Sequence, residues 1–256
     1  MGEGNFEVVT IGTLGGYSQF FVSIAIKGNE TFNVGTLANG ANDIWDKFFN
    51  LNTSHNGLIA STRSLSTIRQ VCFNTVNMAI WSAEKDGTIE NIKHTASSLD
   101  LITPAVFERD LKVWIEQAES FKALLMAAKG QTMTVEQFKA FASGVFTNDG
   151  SDKLSTNSYN RIEDMTPLFQ KGNGNTGSTR YDAINAFTEY FTSGNGTGNP
   201  KNVKANKRLA MANFGRGNDW KREAIAVATN DELFQATVKR GEMLYNDKSL
   251  VVNSAN

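Results

Sequence analysis

The only cysteine, Cys72, and the two histidines, His55 and His94, are the side chains best suited to covalent chemistry. A thiolate beside an imidazole base would make a nucleophile. Cys72, however, falls on the apolar stripe of its segment, which is the usual place of a buried, inert thiol. His55 sits in "TSHNG", a turn composition, where hydrogen bonding within the corner is its expected role. His94, in "NIKHTASS", has no evident partner. One cysteine and two distant histidines do not make a zinc site. "DGSD" at Asp149–Asp152 lacks the remaining ligands of a calcium loop. No metal, no cofactor and no catalytic residue is expected.

Phosphate chemistry is the next candidate. "GNGNTG" at Gly172–Gly177 has the outer glycine spacing of a phosphate loop, but Ser178 and Thr179 follow where such a loop needs Lys and then Ser or Thr. Its glycines and the following helix N-terminus would still allow approach to a phosphate backbone. The clearest charge asymmetry is in "KNVKANKRLAMANFGRGNDWKR". Lys201, Lys204, Lys207, Arg208, Arg216, Lys221 and Arg222 stand there against the single acid Asp219. Lys201, Lys204 and Arg208 share a helical face, and Phe214 and Trp220 lie nearby. Basic groups bind phosphates by counterion release, and aromatic rings support unpaired bases. The alternative is a solvated helix face with core aromatics. A polar row at Gln70, Asn74, Asn77 and Trp81 has helical spacing and reads as an exposed or contact face.

These residues need elements to position them. Up to about Thr67 the pattern is strand-like: "FEVVTIGTL" and "QFFVSIAI" are rich in β-branched and aromatic residues and flank "GGYS". "KGNE" marks the next turn, and "DIWDKFFNLNTS" with "GLIASTRSLS" reads as a further hairpin around "SHNG". From Thr67 onward the spacing predicts helices. "TIRQVCFNTVNMAIWSA" carries an apolar stripe, and "PAVFERDLKVWIEQAESFKALLMAAKG" runs between Pro104 and Gly130. "TVEQFKAFASGVF" opens with a capping box, Thr134 with Gln137. Thr147–Ser158 reads as a loop and Asn160–Gln170 as a helix that Pro167 would interrupt. Ser178 or Thr179 caps a helix whose Ile184, Phe187 and Phe191 face inward. "TSGNGTGNP" is a second loop. The expected fold is α+β: one domain over 1–256, with an N-terminal antiparallel sheet of β-hairpins over 1–67 and helices over 68–256.

Composition narrows the function classes. The 256 residues carry 25 basic and 26 acidic groups, a formal net charge of −1. That argues against a uniformly basic nucleic-acid binder, though not against local clustering. A single cysteine fits a reducing compartment. No apolar run approaches the roughly 18 residues of a membrane span, and "MGEGNFEVV" does not read as a signal peptide.

The motifs also carry a resemblance. "SHNG…IRQVCFNTVNMA", "STRYDAINAFTEYF", "FGRGNDWKREAIAVA" and the hairpin "TLGGYSQFFVSIAI" together resemble a phage/plasmid-like protein family with a domain of unknown function, over roughly Gly12–Ala228. Asn56 stands where that family usually has an acid, Phe73 stands at a commonly polar position, and the long N-terminal extension of many members is missing. The resemblance implies a phage or plasmid origin and a cytoplasmic setting in the host cell. The layout is also similar to that of phage single-strand annealing recombinases. The leading expectation is a non-enzymatic protein that binds single-stranded DNA and anneals it as a homo-oligomer, a ring or a filament. Arg63, Arg69 and Arg180 and the C-terminal cations Lys201, Lys204, Lys207, Arg208, Arg216, Lys221 and Arg222 would hold phosphates, and Tyr17 or Phe20 would support bases. Two rivals stay open. One is a counter-defence or regulatory protein with a phage or host protein partner. The other is an enzyme using His55, Arg180, Asn185 and Glu189.

Overall fold

The computed structural model describes residues 6–14, 18–28, 30–54, 62–70, 74–77, 104–192, 216–247 and 251–252. Their elements are β1 (Phe6–Leu14), β2 (Gln19–Ile26), β3 (Thr31–Thr36), β4 (Asn42–Ser54), β5 (Thr62–Arg69), β6 (Asn74–Asn77), α1 (Pro104–Lys129), α2 (Val135–Phe146), β7 (Leu154–Ser155), α3 (Thr156–Lys171), α4 (Arg180–Thr192), α5 (Arg216–Ala228), α6 (Asp231–Asn246) and β8 (Val251–Val252). An N-terminal sheet precedes a helical C-terminal half, the α+β class expected. The chain divides into two compact units, whose limits do not follow the 1–67 and 68–256 halves. One takes Met1–Asn33, Ile44–Ile68 and Val76–Ala123, the other Val34–Asp43, Arg69–Thr75 and Leu124–Asn256.

The first unit is built on the sheet, whose strand order is β1-β2-β4-β5-β6 with β3 on β4. β1 and β2 form the expected antiparallel hairpin, with a bulge between Val8 and Thr10; its "GGYS" turn, apart from Ser18, lies outside the described residues. β2 pairs antiparallel with β4, Ile24 opposite Phe49 and Val22 opposite Leu51. The "KGNE" turn is closed by the Gly28 amide donating to Glu30 Oε1 at 2.7 Å, with Gly28 at φ +79. Trp45, Lys47 and Phe49 alternate inward along β4, and all three are buried. Trp45 stacks on Phe32 at 6.1 Å and meets Phe121 of α1 edge-on at 5.9 Å. The pleat thus turns Trp45 toward Phe121 of α1 and puts Lys47 and Phe49 on the same face, with Phe48 on the other.

One expectation fails here. Where the stretch from Thr67 is described, it is strand and not helix: β5 runs to Arg69 and Asn74–Asn77 is a strand. Its β-branched residues Thr67, Ile68, Thr75 and Val76 suit a pleated sheet, and pairing overrides a helical spacing of apolar residues. Of the expected polar row, Asn74 and Asn77 bound a strand and Trp81 lies outside the described residues.

The second unit is helical. α1 begins at Pro104 in the first unit, and its end, which belongs to this one, is closed by the Gly130 amide on the Met126 carbonyl. The capping box of α2 is present, Thr134 and Gln137 each bonding the other's backbone. The loop after α2 ends earlier than expected. Ser155 caps α3, which starts at Thr156 and passes through Pro167 to Lys171 without a break. β7 pairs in parallel with β8. Every residue of α4 from Arg180 to Tyr190 is buried, so α4 is the central helix of this unit and shows no polar face. Phe141 and Phe146 of α2 lie 5.8 Å and 5.6 Å from Phe187.

α2 and α6 cross in close contact because glycine occupies the crossing on both. A Cβ at Gly144 would strike Thr237, and one at Gly241 would strike the Ala140 carbonyl. In an isolated helix Gly→Ala stabilises by about 1 kcal/mol. Here Gly241→Ala is expected to destabilise by about 1–3 kcal/mol or more, through overpacking. The midpoint of urea unfolding checks this by its sign.

Candidate functional site

The densest polar arrangement lies within the second unit. It is built from the first residues of β4, the last of β5, the end of α1 and the loop entering α4. Asp43 and Arg69 form a two-pronged ion pair, Nε to Oδ1 and Nη2 to Oδ2, both 2.8 Å, with neither side chain exposed at all. Tyr181 of α4 donates its hydroxyl to Asp43 Oδ2 at 2.8 Å. The remaining Arg69 nitrogen, Nη1, donates to the Asn173 carbonyl at 3.0 Å and to Asn175 Oδ1 at 3.3 Å. Lys129 reaches the Thr36 carbonyl at 2.7 Å and comes within 3.8 Å of Asp43. Both cations also approach the Tyr181 ring, at 5.1 Å and 5.4 Å. Burial pushes the Lys129 amine below its usual range, and Asp43 partly restores it.

The loop Gly172–Thr179 is organised around a second carboxylate. Asp182 accepts the amides of Thr176, Ser178 and Thr179 and the hydroxyls of Thr176 and Thr179, at 2.8–3.2 Å. Thr179 returns the bond by accepting the Asp182 amide, so it is the helix cap expected at this point. Gly174 and Gly177 both have φ +76, and a Cβ at Gly177 would press on the Gln170 backbone. The phosphate reading of this loop is therefore corrected. Its inward N–H groups and the α4 N-terminus already hold an internal anion, and an added phosphate would meet like charge. Glu189, farther along α4, accepts the Asn173 amide at 3.3 Å. Burial pushes its carboxyl above the usual range, against that bond and the field of Arg69.

The expected phosphate ligands scatter. Arg69 is sealed in the ion pair. Arg180 is buried, bonds Asp231 at 2.6 Å and lies 3.8 Å from the Phe234 ring. Lys221 on α5 is fully buried. A phosphate would have to open the unit to reach these three, which is a correction to their assigned role. Arg222 is mostly covered and sits 4.0 Å from Asp219. Arg216 is different: its side chain is 69% exposed. Phe20 is half-buried in β2. Arg63 lies in β5. Tyr17, Lys201, Lys204, Lys207, Arg208, His55, Cys72 and His94 lie outside the described residues. Of the enzyme set, Asn185 and Glu189 are buried on α4. Among the described residues no cluster of His, Cys, Asp or Glu could hold a metal, and no helix is long and apolar enough to cross a membrane.

A second arrangement, with Arg216 exposed and Arg161 and Trp220 half-buried, stands apart from that interior. Arg216 and Arg161 both lie against the Trp220 indole, 5.0 Å and 4.9 Å from its centre. Phe146 meets the indole edge-on at 5.0 Å and Phe191 lies 5.3 Å away. The aromatic cluster holds the indole, and the indole holds two guanidinium groups. The carboxylate nearest Arg216 is Asp149, at 3.7 Å and 59% exposed. Sequence reasoning found Arg216 and Trp220 but not Arg161, which joins them only through the packing of α3 against its neighbours. Asp182 had a local signal, as the third residue after the capping Thr179. Asp43 and Tyr181 had none, since their partners are remote in the chain.

Two expectations follow. Asp43→Asn or Arg69→Met alone strands a buried charge and is expected to cost about 3–5 kcal/mol, whereas the double change Asp43→Leu/Arg69→Met recovers much of it; urea unfolding of the three variants measures the difference. Burial also pushes the Lys221 amine from 10.5 down to about 7. Between those values the unfolded chain holds the proton and the folded chain does not. Stability is therefore expected to rise with pH across that window, by up to about 1.4 kcal/mol per unit from this group. In Lys221→Met the rise should shrink, as read from unfolding midpoints at stepped pH.

No curated protein and no solved structure matches the chain. A family model does, over residues 1–212, which is most of its length, and its description is "Domain of unknown function (DUF932)". The chain belongs to that family.

Proposed function

We propose that this chain is a non-enzymatic protein of phage or plasmid DNA metabolism that binds single-stranded DNA by its backbone, promotes strand annealing, and acts as an oligomer in the host cytoplasm. The observation that carries the reading is the Arg216–Trp220–Arg161 arrangement. Two guanidinium groups are held against one indole, so little side-chain freedom is lost when they take a phosphate. Arg216 opens α5, where the helix dipole adds positive potential. Its pairing with Asp149 joins two largely exposed groups, an interaction of small net value that a phosphate can replace. The segment preceding α5 in sequence supplies Lys201, Lys204, Lys207 and Arg208.

The same geometry suits annealing. The indole is engaged by guanidinium groups and by Phe146 and Phe191, so it positions cations and does not serve as a base platform. Grip on phosphates leaves base edges free to find their complement. A few such contacts per chain are weak, and repetition in an oligomer multiplies them without a high net charge. That accommodates 25 basic against 26 acidic groups.

Fluorescence anisotropy with a labelled single strand tests this. Binding is expected at low salt, with log K falling linearly against log salt. Arg216→Ala should flatten that slope by about 0.7, the share of one phosphate on a single strand. Arg216→Glu should weaken binding about tenfold or more, and Asp149→Asn should strengthen it. Absence of binding at low salt, or indifference to all three changes, removes the proposal.

A further inference from the structure

The hairpin edge carries a feature that phosphate binding does not use. β1 ends the strand order of the sheet, and among the described residues nothing pairs with its outer side. Its row of outer N–H and C=O groups is a template for another strand. Of the usual devices against such pairing the strand has one charge, Glu7, and the bulge between Val8 and Thr10; FEVVTIGTL has no proline and no lysine.

The side chains point the same way. The bulge between Val8 and Thr10 puts Val8 opposite Ile24 and Ile11 opposite Val22. Ile24 and Val22 are two residues apart on β2, so Val8 and Ile11 share one face. β2 in turn sets Ile24 opposite Phe49 and Val22 opposite Leu51. Two apolar rows therefore cross the sheet: Phe49, Ile24, Val8 and Leu51, Val22, Ile11. The first begins buried at Phe49 and passes through half-buried Ile24. The rows end at Val8, 55% exposed, and Ile11, 62% exposed. The core face thus runs out to a bare edge, where both the ladder and the apolar rows stop short.

We infer that this edge is a strand-addition interface and that its occupant is β1 of a second copy, paired antiparallel about a twofold axis near Thr10. The strand is its own complement there. The axis falls at the bulge and sets Val8 of each copy beside Ile11 of the other, on the face where the two apolar rows end, with the ladder extended to either side of the bulge. Two sheets then become one continuous sheet, and no bare edge is left at the joint. This inference names the contact behind the oligomer in the functional reading above. It uses the sheet unit, whereas the phosphate contacts use the helical unit, so each can fail without the other.

Sedimentation velocity over a wide concentration range, without DNA, is the test. The full-length chain is expected to double in mass as concentration rises. Val8→Lys and Ile11→Lys change exposed side chains and should leave thermal unfolding near the wild type while holding the chain as a monomer. Should those variants fold poorly, hydrogen exchange on the wild-type chain decides instead: amides of β1 should slow with rising concentration while those of α4 do not. A wild-type monomer throughout, a dimer unaffected by both lysines, or β1 exchange independent of concentration overturns the inference. Binding of a short oligonucleotide by the lysine variants separates the two proposals. Retained binding with lost dimerisation upholds this interface and leaves the phosphate site standing. A wild-type dimer that binds no single strand at low salt upholds the interface and removes the functional reading.

Discussion

A carboxylate and a guanidinium, both wholly removed from water, set the terms for the helical unit. Taking Asp43 and Arg69 out of solvent costs several kcal/mol per charge, and their attraction repays it only if the remaining donors and acceptors are also met. The surroundings meet that demand. Tyr181 and Lys129 come to Asp43, and the Asn173 carbonyl and the Asn175 side-chain oxygen accept from Arg69. Each satisfied group fixes a piece of chain. Tyr181 fixes the first turn of α4, and Asn173 and Asn175 fix the loop before it. Asp182 then binds the rest of that loop through five bonds of its own. The loop's shape thus serves two buried charges, Arg69 through Asn173 and Asn175 and Asp182 through Thr176, Ser178 and Thr179.

The same arrangement decides which charges are free for partners. A sequence with near-equal basic and acidic counts looks unsuited to a polyanion if every charge is weighed alike. They are not alike. Arg69, Arg180 and Lys221 are spent inside, and Asp43, Asp182 and Glu189 with them. The surface balance is therefore set by a different subset of residues, and Arg216 and Arg161 on Trp220 are the part of it that the packing holds in place.

Legibility followed the range of the interactions. Local rules worked: the β1–β2 hairpin, the Pro104 and Gly130 ends of α1, the Thr134–Gln137 box and the Thr179 cap each depend on residues within a few positions. The stretch after Thr67 misled because its described parts, rich in Thr, Ile and Val, pair as strands, which the spacing of apolar residues did not show. Basic residues in one segment suggested one surface, yet a helix turns successive residues to different sides, so Arg216 faces solvent while Lys221 faces the core. The ion pair was invisible, because Asp43 and Arg69 are 26 positions apart and meet only when the strands do. Arg161 was missed for the same reason, reaching Trp220 from another helix.

Interior polar groups build the helical unit, and under the proposed function Arg216 and Arg161 hold the strand. A hydrogen-exchange footprint of the chain with and without a single-stranded oligonucleotide, at low salt, tests this division. The account predicts slowed exchange at the start of α5 and in α3 around Arg161, with Asn173–Asp182 unchanged. Protection centred on Asn173–Asp182, with α5 unaffected, would contradict it and place the ligand at the polar interior instead.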